Sequence, residues 1–194
     1  MKRTAAVVCL LGALAASPCA LADDADSYTI DSRHTFPQYE VVHMGTSVQR
    51  GRFDRTEGKL AYDSAAHKGA VEISIDAASV STGLAKLDER LRGEDWLDAA
   101  AFPKITFKSS DFVFDGDKLA KVNGELTLRG VTRPVTLEAD FFHCGVNALL
   151  LHTVCGADFT ARIKRSDFGM KSILGLVSDD VLLRVNVEAI ADRK

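Results

Sequence analysis

Residues 124–140 read GELTLRGVTRPVTLEAD, and this stretch restricts the fold more tightly than any other part of the chain. Leu126 and Leu128 fall on one side of an extended backbone, and Gly130 breaks the run. Val135, Leu137, Ala139 and Phe141 then resume the alternation, with Thr136, Glu138 and Asp140 opposite. Apolar residues at a period of two, with a polar reverse face, specify antiparallel sheet that has one side in water. Turn chemistry accounts for the middle, since Gly130 can enter conformations barred to other residues and Pro134 holds φ after the bend.

The same pattern recurs along the chain. Val71, Ile73 and Ile75 alternate with polar residues, as do Phe159, Ala161 and Ile163, and then Leu183, Val185, Val187 and Ala189. Residues 104–114 form a Phe-rich strand, and Asp115-Gly116 supplies a hairpin turn because both residues accept positive φ. A single helix interrupts the strands at 82–93, where Leu84, Leu87 and Leu91 recur at helical spacing. Thr82 is placed to cap its start, and Gly93 to end it in the left-handed conformation. About eight strands with one or two short helices suit a mainly β, antiparallel eight-stranded barrel rather than parallel β/α units. Such a barrel is either filled by its own side chains or holds one small ligand.

The first residues read as an export signal: Lys2 and Arg3, an apolar run from residue 5 to 16, and Ala20-Leu21-Ala22 at the cleavage position. Residues 1–22 are thus expected to be removed, leaving 23–27 as a short acidic tail and 28–194 as one barrel domain. The apolar run is too short for a spanning helix. Pro18 ahead of Cys19 argues against a lipid-modified cysteine. No later segment is long and apolar enough to cross a bilayer. The removed segment holds two of the 24 basic residues and none of the 27 acidic ones, so the mature chain is mildly acidic, which gives no support to nucleic-acid binding. Cys144 and Cys155 then remain as an even pair in an oxidising compartment, and a disulfide is the economical reading. The alternative adds His143 and His152 to make a two-His, two-Cys metal site, against which stands the opposite orientation of adjacent strand residues. His34, His43 and His67 are scattered, with no nucleophile or acid at a catalytic spacing.

Four segments together resemble the YceI-like family of periplasmic, lipocalin-like barrels that bind polyisoprenoid lipids. These are HTFPQYEVVHMGTSVQRGRFDRTEGKL at 34–60, LDERLRGEDWLDAAAFPKITFKSS at 87–110, the 124–140 stretch, and IKRSDFGM at 163–170. The resemblance implies a strand running straight through Asn123-Gly124, with a bulge, in place of the turn that this pair otherwise signals. It implies a periplasmic carrier that makes and breaks no bond and needs no cofactor or metal. Its ligand would be an isoprenoid quinone, a quinone precursor or a prenyl phosphate, and a homodimer stays open.

A dry tunnel for that ligand would be walled by Phe36, Phe53, Ile73, Ile75, Leu87, Leu91, Phe107, Phe159 and Leu174. A polar head would meet Arg50, Arg52, Arg90 or Arg92 at the mouth. The apolar run Ile173, Leu174, Leu176 and Val177 has the composition of a lid, and Arg165 or Asp167 would cap that barrel end by bonding backbone groups. Phe36-Pro37-Gln38-Tyr39 departs from the family's alternating apolar segment, and Pro37 marks an edge, bulge or strand start. Two other classes stand against the carrier. One is a metal-dependent or redox enzyme using the histidines; the other is a filled barrel that serves as a partner protein in stress response.

Overall fold

A computed structural model describes residues 25–193, so the expected export signal lies outside the described residues. The alternating runs become eleven strands: β1 (Asp26–Ile30), β2 (Phe36–His43), β3 (Ser47–Phe53), β4 (Thr56–Asp63), β5 (Lys68–Asp76), β6 (Val80–Ser81), β7 (Lys104–Asp115), β8 (Lys118–Leu128), β9 (Val131–Asn147), β10 (His152–Lys164) and β11 (Val177–Ala191). Every pairing between them is antiparallel. The order β1-β4-β5-β7-β8-β9-β10-β11 closes through a β1–β11 pairing, giving the eight-stranded barrel. Closure removes the sheet edges that would otherwise stand open.

Three of the barrel's staves are broken and continue beyond the break. β1 resumes as β2 after residues 31–35, β3 as β4 after 54–55, and β5 as β6 after a 3-10 turn at Ala77–Ser79. Side chains hold these kinks in place of ladder bonds. Thr35, wholly buried, donates from Oγ1 to the Glu188 carbonyl and accepts from the Glu188 N–H. Asp76 accepts from the Ala78 N–H at 2.8 Å, and Ser79 Oγ donates to the Asp76 carbonyl at 2.7 Å. Asp26 and Ser27, expected in the frayed tail, already pair with Tyr62 and Ala61 in β4, because Ser27 Oγ donates to Asp192 at 2.8 Å and ties the segment down.

Arg129 and Gly130 both take positive φ, 51° and 71°, making a tight two-residue hairpin between β8 and β9. The β7–β8 turn sits one residue later than expected: Asp115 still pairs with Lys118 as strand, and Gly116, at φ 58°, and Asp117 make the two-residue turn. Asn123-Gly124 is strand, and the irregularity lies across from it, between Lys108 and Asp111 of β7. The alternation in β9 does not run to its end. The β9–β10 register slips between Asp158, opposite Phe141, and Phe159, opposite Ala139, so the extra residue Asp140 turns the following side chains over. Phe141, expected on the buried face, is 54% exposed, and Phe142 packs on the core instead.

Helix α1 (Ala85–Arg92) has no buried residue, so it lies across one end of the barrel instead of inside a core. Thr82 does not cap it by accepting from the first turn; its N–H and Oγ1 both donate to Asp88 Oδ1, at 2.7 and 2.6 Å. Gly93 ends the helix in extended conformation, φ −71° and ψ 169°, and not in the left-handed one. Its carbonyl accepts from Trp96 and Asp98 N–H, which starts the next turn at once. Cys144 and Cys155 face each other on β9 and β10 and form a disulfide. Closing a loop with a separation of 11 residues contributes about 3 kcal/mol in the chain-entropy treatment. It also removes both thiolates from the two-His, two-Cys site considered above.

Candidate functional site

The two ends of the barrel differ. The β2–β3, β8–β9 and β10–β11 connections gather at one end with α1, and the β4–β5, β7–β8 and β9–β10 turns at the other. At the second end aromatic side chains close the lumen. Phe142 meets Tyr62 edge-on at 5.4 Å between ring centres, Phe114 lies 6.3 Å from each, and His67 stacks on Phe114 at 4.6 Å. At the first end the lumen is hollow, with a cavity of about 530 Å³. Arg50, Arg90 and Arg165 border it together with His43, and no carboxylate is among its lining residues. Exposed Val42, Met44, Val48, Leu84, Leu174 and Leu176 lie in the strand ends and connections at this end.

Of the expected wall residues, Phe53, Ile73, Ile75, Leu87, Leu91 and Phe107 line this cavity. Phe159 does not; it lines a separate void of about 60 Å³ with Leu119, Val122 and Phe142, towards the aromatic end. Phe36 faces outward because Pro37, Tyr39 and Val41 take the inward parity of β2, and it carries the Arg52 guanidinium 4.7 Å above its ring. Arg52 shares that outer face, with Nε donating to Asp54 at 2.6 Å. Leu174 is 43% exposed, and its neighbour Ile173, at positive φ, lines the cavity instead. Arg92 turns back to donate to the Ala78 carbonyl at 3.3 Å, which leaves Arg50 and Arg90 at the cavity. Arg50 borders the cavity only at its rim: it shares the outer parity of Arg52 on β3 and pairs on that face with Glu40 at 3.2 Å.

Arg165 is 2% exposed and does bond backbone. Nε donates to the Ser178 carbonyl at 2.9 Å, Nη1 to Met170 at 2.8 Å and Nη2 to Val177 at 3.0 Å, fastening the loop of residues 165–176. Burial pushes its pKa down and the charge of Asp179 opposes this; a guanidinium stays protonated regardless. Its guanidinium stands 5.2 Å over the ring of Trp96, whose own carbonyl accepts from Arg129 at 2.6 Å. Trp96, the single tryptophan, therefore forms a fixed part of the cavity wall.

Sequence reasoning passed over Trp96 and Tyr39. Pro37, Tyr39 and Val41 take the inward positions of β2, which leaves Phe36, the expected wall residue, outside. Tyr39 lies against Gly51, where a Cβ would come within 2.4 Å of its hydroxyl oxygen. Burial, reinforced by the carboxylate of Asp88, pushes the Tyr39 phenol up to about 12, against 10.0 for a free side chain. The folded state thus holds this proton more tightly than the unfolded chain. The associated stability is complete below pH 10, and about 2 kcal/mol is lost as pH rises towards 12. Urea midpoints measured across that window should fall less steeply for Tyr39→Phe than for the parent chain.

The histidines do not come together. His43 is at the cavity, His67 at the aromatic end, and His34 at the β1–β2 kink, where Nδ1 meets Asp31 Oδ2 at 2.9 Å with Glu188 at 3.9 Å. Among the described residues this is the one group of three with metal-binding side chains in reach of each other. Arg33 already bonds both Asp31 oxygens, at 3.1 and 3.2 Å, and holds that carboxyl well below the usual carboxylate range. A guanidinium on the same oxygens opposes a cation there, and the group serves to fasten the kink.

Comparison with known proteins places this architecture. The model of the YceI-like domain matches residues 28–189. A UPF0312 protein of Pseudomonas aeruginosa is 35% identical over 195 residues, covering 98% of each chain. Protein YceI of Escherichia coli O157:H7 is 36% identical over 174 residues, covering 87% of this chain and 89% of its own. Among solved structures, the YCEI protein of Campylobacter jejuni superposes with a TM-score of 0.67 at 26% identity, over 79% of this chain and 90% of that one. A polyisoprenoid binding domain from Saccharophagus degradans shares the fold, with a TM-score of 0.63 at 18% identity over 85% and 98% of the two chains.

Proposed function

The chain belongs to the YceI-like family, and from that premise we propose that it binds, stores or carries a polyisoprenoid lipid in the periplasm without catalysing a reaction. One observation carries the reading: a closed barrel whose lumen is hollow over about 530 Å³ and lined largely by apolar side chains. That volume falls in the roughly 300–1,000 Å³ range of small-molecule pockets. An isoprenoid tail inside it would gain about 0.8 kcal/mol per methylene-sized group before ordering costs are subtracted. Arg50, Arg90 and His43 stand where a carbonyl or phosphate head would lie. The name of the Saccharophagus degradans domain supports this ligand class.

Trp96 supplies the test. Titration with a prenylated benzoquinone, whose ring absorbs excitation energy, should quench its emission saturably, and a prenyl alcohol of equal tail length should restore the emission by competition. Organic extraction of protein taken from its native periplasm, followed by mass spectrometry, should find an isoprenoid near one per chain. Unquenched emission together with an empty extract from folded protein would refute the reading.

A further inference from the structure

The large cavity and the small void share four wall residues: Ile73 of β5, Phe107 of β7, Leu137 of β9 and Val185 of β11. These side chains come from four strands spread around the barrel and form a girdle between the two spaces. Phe107 is the largest of them. Its ring is seated on β8 at the one position that offers no side chain, Gly124, where a Cβ would come within 2.4 Å of the ring carbon Cζ. Ile73 is its direct partner across the β5–β7 ladder. Beyond the girdle, the void is bounded by Leu119, Val122 and Phe142, and Phe142 belongs to the aromatic closure.

Resting on the lipid-binding reading above, we propose that Phe107, held against Gly124, is a gate that sets the longest apolar tail the barrel accepts. With the ring in its seat, a tail entering past Arg50 and Arg90 ends at the girdle. A longer tail must pass Phe107 to reach the void, which itself is too small to receive many further groups. The girdle selects by length and not by head chemistry, because it carries no polar side chain. A methyl group at position 124 would force the ring off β8 and into the lumen, so the two residues act as one device.

The experiment offers the purified protein an equimolar mixture of prenylated benzoquinones that differ only in tail length, then measures the retained distribution by extraction and mass spectrometry. Phe107→Ala should raise the ratio of long to short tails at least fivefold. Phe107→Trp and Gly124→Ala should lower it by a similar factor. Circular dichroism and thermal melting accompany each variant; if Phe107→Ala does not fold, Phe107→Leu should move the ratio in the same direction. If the parent chain retains quinones and folded Phe107 variants keep its distribution, the gate is wrong and the binding reading stands. If the parent chain retains none of the series, both are overturned.

Discussion

Replacing Arg165 with methionine should destabilise the protein by about 3–5 kcal/mol, the cost typical of removing one partner from a buried charged network. Three carbonyls, of Met170, Val177 and Ser178, would lose their donor at once. Water cannot readily replace it, because the position is 2% exposed. Each carbonyl left unsatisfied costs on the order of 1–3 kcal/mol, partly offset because a buried charge no longer needs to be desolvated. For a chain of this size the thermal midpoint should fall by about 10 °C or more. Lysine should not rescue it, since an ammonium cannot spread three bonds over the planar fork that the guanidinium presents. Hydrogen exchange should accelerate first in residues 165–178. Met170, Ile173 and Val177 line the cavity, so ligand affinity should fall with it. A variant with parent-like stability would show that the loop is held by its apolar contacts alone.

Ile75→Trp should remove bound lipid with little loss of fold. Ile75 lies on β5 opposite Ile105 and Thr56, faces the large cavity and is 8% exposed. An indole at that position has empty lumen to grow into, so overpacking should cost less than the roughly 1–3 kcal/mol seen when a filled core is enlarged. The same ring would take the space a tail needs, and lipid recovered per chain should drop at least tenfold. The measurement is extraction and mass spectrometry of parent and variant purified side by side, with a thermal melt on each. Full occupancy in a folded variant would place the ligand somewhere other than this cavity. The outward residue Phe36 is the matched control, since Phe36→Trp should leave occupancy unchanged.

Much of this architecture was legible in the chain before any coordinates. Alternation at 71–75, 124–140, 159–163 and 183–189 marked strands, because which face a residue takes follows from its neighbours in sequence. The hairpins at Gly116 and Gly130 were visible because glycine takes positive φ readily, a property of single residues. Six expected wall positions line the cavity, Phe53, Ile73, Ile75 and Phe107 from strands and Leu87 and Leu91 from the helix. Parity fails where an extra residue enters a strand: Asp140 turns Phe141 outward and Phe142 inward, and nothing local announces that slip, since it is defined against β10.

The sequence by itself determined that this chain makes an antiparallel barrel, with its apolar faces inward and with Cys144 and Cys155 available to pair. Period, turn residues and composition are local quantities, and they suffice for that. Only the tertiary structure decided that the barrel is hollow at one end and closed by aromatic rings at the other, that Arg165 fastens a loop, and that Phe107 rests on Gly124. Each of these depends on which residues from distant strands arrive at the same height in the lumen. Registers and bulges set that height, and they belong to pairs of strands and not to either strand alone.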